Sequence, residues 1–105
     1  MPKISVISAS FNTGAFVRDT LDSVAMQSSR DYEHLIIDGG STDGTLDELK
    51  RRTGIRWISE PDSGFPEAFR KGVAMAHGEY IIQCSISDGF LDRDWFARCI
   101  AMLDN

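Results

Sequence analysis

The stretch HLIIDGGSTDGT, residues 34 to 45, decides how the rest of the chain is read. With Glu33 before it, its first half is an apolar run of strand length that ends on an acid, Asp38. Its second half is glycine, serine, threonine and aspartate, the composition of a turn. Leu46 and Leu49 then sit at helical spacing, with Ser41 or Asp43 placed to cap a short helix. Strand, polar loop and helix thus follow one another directly. Taken alone, the loop reads equally well as a plain flexible connection.

Working outward, the same unit recurs. Residues 3 to 9 (KISVISA) form a strand, and Phe16, Val17, Leu21 and Val24 follow at helical spacing. Residues 55 to 59 (IRWIS) precede a stripe of Phe65, Ala68, Phe69, Gly72, Val73 and Ala76, with Gly78 as the expected helix stop. Pro66 suits that helix's first turn, and Phe65 and Phe69 read as core. Residues 79 to 85 form a fourth strand, and Trp95, Phe96, Cys99, Ile100 and Leu103 mark a last helix capped by Asp92. Alternating strands and helices with short connections predict an α/β fold: a Rossmann-like three-layer α/β/α arrangement with a mostly parallel sheet. Ligands of such sheets gather beyond the carboxyl ends of the strands. Those ends are Ser10 to Asn12, Asp38 to Ser41, Glu60 to Gly64 and Ser85 to Gly89, all polar or glycine-rich.

Composition narrows the function classes. At 105 residues the chain is one small domain or part of a larger one, with no repeat or linker inside it. The formal charge of −5 argues against nucleic acid, which demands clustered lysine and arginine. The one basic cluster, Lys50-Arg51-Arg52, complements the dipole of a helix C-terminus. No apolar run reaches the ~20 residues of a transmembrane helix, and the start, MPKISVI, does not read as a secretory signal. Cys84 and Cys99 read as small buried hydrophobes suited to a reducing cytoplasm, and no zinc spacing occurs.

Four stretches together are more specific than any one: ISVISASFN, HLIIDGGSTDGT, SEPDSGFPEAFRKGVAMAHGEYI and SDGFL. In order and spacing, across essentially the whole chain, they resemble the family 2 glycosyltransferases, enzymes with a GT-A fold that bind nucleotide-diphospho-sugars. The branch it looks closest to builds bacterial surface polysaccharides. The resemblance implies a UDP-linked or other NDP-sugar donor and a glycan or lipid-linked acceptor. It implies a cytoplasmic setting, at the inner face of the membrane through partners. By the same resemblance Ser10, Phe11 and Asn12 lie beside the nucleotide, and Asp38 accepts an N–H of a uracil-type base. Many relatives carry a second aspartate where this chain has Gly39, so the contact there is weaker. Asp62 approaches base or ribose, and Lys71 is either a donor-site cation or a solvated helix residue.

At the fourth strand the chain departs from the family. Relatives have an Asp-x-Asp motif there, because residues i and i+2 of a strand point the same way and address one cation. That Mn2+ or Mg2+ ion bridges the diphosphate. Here Ser85 and Ser87 occupy the two acid positions and Asp88 follows, a weak metal set of two neutral hydroxyls and one carboxylate. A helix N-terminus, Arg93 or Lys71 are the metal-free sources of positive charge for the phosphates. The general base that deprotonates the acceptor is expected beyond Asn105. Residues 1–105 are therefore expected to be the donor-binding part of a larger GT-A domain, with an exposed sheet edge that favours self-association. The alternative is a non-catalytic or degenerate nucleotide-binding or assembly module of the same fold. A receiver-like signalling domain fits poorly, since ASFN lacks the clustered acids such a domain needs at its first strand end.

Overall fold

The apolar runs fold as strands and the helical stripes as helices in the computed structural model, which describes residues 2–84, 86 and 94–103. The element order is β1 (Ile4–Ser10), α1 (Val17–Ala25), β2 (Tyr32–Asp38), α2 (Thr45–Arg51), β3 (Arg56–Ser59), α3 (Phe65–Met75), β4 (Tyr80–Gln83) and α4 (Trp95–Leu103). The four strands make one parallel sheet in the order β3-β2-β1-β4. β1 and β2 occupy its centre and are buried along nearly their whole length, as strands covered on both faces must be.

Alternation along the strands assigns the layers. Val17, Leu21 and Leu49 pack with Ile36, so α1 and α2 lie on one face. Phe96 of α4 joins that face through Ile4, Val6 and Val24, and its ring meets Tyr32 edge-on at 5.1 Å. On the other face Ala68 and Phe69 of α3 pack on Ile7, Leu35 and Ile37. The chain therefore steps from β1 to β2 to β3 along one face. It then crosses behind the sheet through α3 and returns to the far side of β1 as β4. Strand order reverses between β1 and β4, the kind of switch point at which open α/β sheets bind ligands.

Several expected boundaries shift. β4 ends at Gln83, and α3 ends at Met75 with extended Ala76 as its cap, so Gly78 is not the helix stop. Gly78 is required instead by space: a Cβ there would stand 2.6 Å from the Ser5 nitrogen and 2.8 Å from the Ile4 carbonyl carbon. The N-cap of α2 is Gly44, not Ser41 or Asp43. Asp43, one residue earlier, still accepts the Thr45 N–H at 2.9 Å and holds that turn. Phe65 is not core: it is 48% exposed, because the first turn of α3 projects past the ends of the strands. The capping residue expected for α4, Asp92, lies outside the described residues.

Candidate nucleotide-binding site

In-register pairing sets Ser10 beside Asp38 and Asp38 beside Ser59, so the polar ends of three adjacent strands align. Asp38 is the hub. Its Oδ2 accepts the Gly40 N–H at 3.0 Å, the Ser41 N–H at 2.8 Å and the Ser59 hydroxyl at 2.8 Å. Its Oδ1 accepts the Ser41 hydroxyl at 2.6 Å. Burial pushes this carboxyl up, but the Ser41 hydroxyl and amide and the Ser59 and Ser10 hydroxyls outweigh it and hold the carboxyl below the usual range. Asp38 is fully buried. All four of these bonds come from its own chain, and through them Asp38 builds the loops at the strand ends.

Those loops are tied to each other. The Asn12 N–H donates to the Ser41 hydroxyl at 2.8 Å, and the Asn12 side-chain carbonyl accepts the Thr42 N–H at 2.8 Å. Asn12 takes a left-handed conformation, φ 52°, which asparagine tolerates better than most residues. The Thr13 N–H donates to the Thr45 hydroxyl at 3.0 Å, and the Gly14 N–H to Asp43 Oδ2 at 3.0 Å. The Thr45 hydroxyl and amide, with the Gly14 amide, hold the exposed Asp43 carboxyl low. Asn12 is therefore a loop tie and does not line the cleft beside it.

That cleft, about 140 Å³, opens where the end of β1 faces the start of α3. Of the residues read from sequence, Ser10, Phe11 and Asp62 line it, joined by Ala9, Gly64, Phe65 and Ala68. Phe11 is 60% exposed, so two half-bare rings stand at its mouth. Asp62 is half-buried; its Oδ1 accepts the Gly64 N–H at 2.9 Å. Glu67 fixes the same turn by accepting the Ser63 N–H and hydroxyl, both at 2.7 Å. Lys71 does not line the cleft: its ammonium pairs with Glu60 at 2.8 Å, and that bond raises its pKa. Gly39 does not line it either, although Asp62 lies directly over it. Phe65 was the residue missed, absorbed into the helical stripe. Its signal was position: it follows Gly64 at the very start of the helix, where a side chain reaches past the sheet.

Among the described residues no group of three or more His, Cys, Asp or Glu is placed to hold a metal ion. Ser85, Ser87 and Asp88 lie outside the described residues. No helix of the described residues is long and apolar enough to cross a membrane.

A parallel α/β sheet with a cleft beyond its strand ends, lined by two aromatic rings and one carboxylate, is the arrangement in which open α/β sheets hold ligands. Residues 5–105 match the profile of the glycosyl transferase family 2, and the chain belongs to that family. It is 34% identical over 107 residues to a PGL/p-HBAD biosynthesis glycosyltransferase of Mycobacterium bovis, a match spanning 97% of this chain and 42% of that protein. It is 31% identical over 104 residues to a chondroitin synthase of Pasteurella multocida, across 95% of this chain and 11% of the other. The chain thus spans less than half the length of these curated relatives. The fold superposes on S. aureus TarS 1-349 in complex with UDP-GlcNAc with TM-score 0.87 at 23% identity, covering 97% of this chain and 31% of that one. It superposes on the mannosyltransferase PcManGT from Pyrobaculum calidifontis, in complex with GDP-Man and Mn2+, with TM-score 0.89 at 24% identity, covering 99% and 33%. These two likenesses establish the GT-A fold.

Proposed function

We propose that this chain is the donor-binding part of a glycosyltransferase that takes a UDP-sugar and passes the sugar to a surface polysaccharide or other glycan acceptor. The observation that carries the reading is the cleft itself, with Phe11, Phe65 and Asp62 converging at the switch point of a family 2 chain. The relative named chondroitin synthase supports a glycan acceptor. The acceptor-binding segments and the general base belong, in this reading, to a longer protein, as the length of the relatives supports.

The donor set at the family's metal position fits a divalent cation poorly, since two neutral serine hydroxyls replace two carboxylates. No step of the reaction is assigned to a metal here. The same serines favour the second reading, a binding module of this fold that does not itself transfer sugar. Calorimetric titration of the chain with UDP and UDP-sugars, with and without manganese, tests the proposal. Saturable binding supports it, and no binding at millimolar ligand contradicts it. Measured sugar transfer by this chain removes the second reading.

A further inference from the structure

A second cavity, about 130 Å³, lies near the start of β2, between the C-terminal half of α1 and the loop from α2 to β3. It shares no lining residue with the cleft at the other end of the sheet. Leu21, Val24 and Ile55 give it apolar walls, and Arg30, Arg52 and His34 bring nitrogen donors; among the described residues no carboxylate lines it. His34 lies on the same face of β2 as Tyr32 and Ile36, the face that α1 and α2 cover. Its Nε2 is taken by the Ser8 hydroxyl at 2.9 Å. Among the described residues Nδ1 has no hydrogen-bond partner, yet no buried side-chain nitrogen or oxygen is left without one. Nδ1 is therefore not sealed in, and the space beside His34 is this cavity. The tautomer follows from the same accounting. Ser8 is fully buried, and among the described residues its hydroxyl has only His34 as partner. A hydroxyl that donates to Nε2 leaves no hydrogen unpaired, so the ring hydrogen sits on Nδ1, as a donor to the cavity. Burial, with Arg52 nearby, keeps the ring uncharged at neutral pH.

The two arginines differ. Arg52 is already paired with Asp22 at 2.6 Å. Arg30 donates from Nη1 to the Ala25 carbonyl at 3.2 Å and, among the described residues, pairs with no carboxylate. The rim therefore holds one positive charge in excess. We infer that this cavity binds a small organic carboxylate with an apolar body, the carboxylate facing Arg30 and the Nδ1–H of His34 and the body lying against Leu21, Val24 and Ile55. Guanidinium groups match carboxylates in geometry and charge. The apolar walls favour an organic anion over an inorganic one, because burying the body removes apolar surface from water. The site goes beyond the donor reading and does not depend on it.

The test is an NMR titration of the full chain with benzoate, with benzamide as its neutral counterpart and inorganic phosphate as an anion without a body. The readouts are the His34 Nδ1 resonance and the amides of Val24 and Ile55. The expected result is saturable shifts at these positions with benzoate, and binding of benzamide and phosphate weaker by about tenfold or more. Arg30 is exposed, so Arg30→Gln is expected to leave the fold intact, which a thermal melt checks. It should weaken benzoate about tenfold, and Arg30→Lys, which keeps the charge, should lose less. Absence of saturable shifts at tens of millimolar benzoate overturns the inference. So do benzamide or phosphate binding as tightly as benzoate, an Arg30→Gln affinity equal to the wild type, or shifts centred on Phe11 and Asp62, which would put benzoate in the other cleft. Loss of UDP binding has no bearing on these outcomes, so the two readings fail separately.

Discussion

The Ser59 hydroxyl donates to Asp38 Oδ2 at 2.8 Å across the ends of two adjacent parallel strands, β3 and β2. This bond joins the loop that carries Asp62 to the loop that carries Gly39. Asp38 thereby ties together the loops that follow two adjacent strands. Such a buried acceptor is costly to alter, because each donor aimed at it loses its partner.

Asp38→Asn is accordingly expected to destabilise the chain by about 2–3 kcal/mol, since an NH2 group would face donors now paired with a carboxylate oxygen. Urea denaturation measures this. A change below about 0.5 kcal/mol, the size of an ordinary surface substitution, contradicts the hub role.

Acid sensitivity follows from His34. Its ring is 2% exposed and shares a 2.9 Å hydrogen bond between Nε2 and the Ser8 hydroxyl. Burial, with the Arg52 guanidinium nearby, lowers its pKa to about 3. The sign follows: below the unfolded value of about 6.5, the unfolded chain takes up a proton that the folded chain refuses. Stability is therefore full above that pH and falls by up to about 1.4 kcal/mol per pH unit on acidification, the loss levelling off near pH 3. Asp38, whose carboxyl is held low, adds a second loss beginning only near its unfolded value of about 3.9. Denaturation at stepped pH checks the profile. His34→Gln should flatten the upper part alone; an unchanged slope contradicts the assignment.

Two glycines under the sheet respond differently to alanine. At Gly78 the new methyl meets backbone, with the Ser5 nitrogen at 2.6 Å, and backbone cannot give way cheaply. At Gly72 it meets the Ile7 Cγ2 at 2.6 Å, which can repack. Gly78→Ala should cost about 3 kcal/mol or more, at the severe end for single substitutions. Gly72→Ala should cost less, partly offset by about 1 kcal/mol of helix propensity. Pairing Gly72→Ala with Ile7→Val should recover part of the loss. Equal effects at both glycines in thermal melts contradict the distinction.

The layered fold was legible because its signals are local: Leu21 and Val24 at helical spacing, and Leu35 to Ile37 as an unbroken apolar run. The strand ends were legible for the same reason, and Phe11 and Asp62 did reach the cleft. What a linear reading missed depends on strand order. Ser59 meets Asp38 only because β3 lies beside β2, and nothing local announces that bond. Gly39 reads as a turn residue until Asp62 is placed over it. Gly78 looked like a helix stop because glycine often is one, whereas its cause lies in β1. Phe65 fitted the apolar stripe, and only the position of α3 relative to the strand ends exposes it.

Ser85→Asp with Ser87→Asp supplies the acid pair that the family resemblance leads one to expect at those positions. UDP binding by this double variant should become manganese-dependent by roughly tenfold or more, since even outer-shell ligands change metal affinity by about 10–100-fold. The wild type should respond little to manganese or to EDTA. Strong manganese dependence in the wild type contradicts the reading of the serines.

The central claim is that the cleft between the end of β1 and the start of α3 binds a uridine nucleotide. Backbone amide shifts followed by NMR during a UDP titration test it most directly. Saturable shifts are expected at Ser10 to Asn12, Gly39 to Ser41 and Asp62 to Phe65, with the opposite ends of the strands, around Lys3 and Glu33, unmoved. Shifts confined to those opposite ends, or none at millimolar UDP, would contradict it.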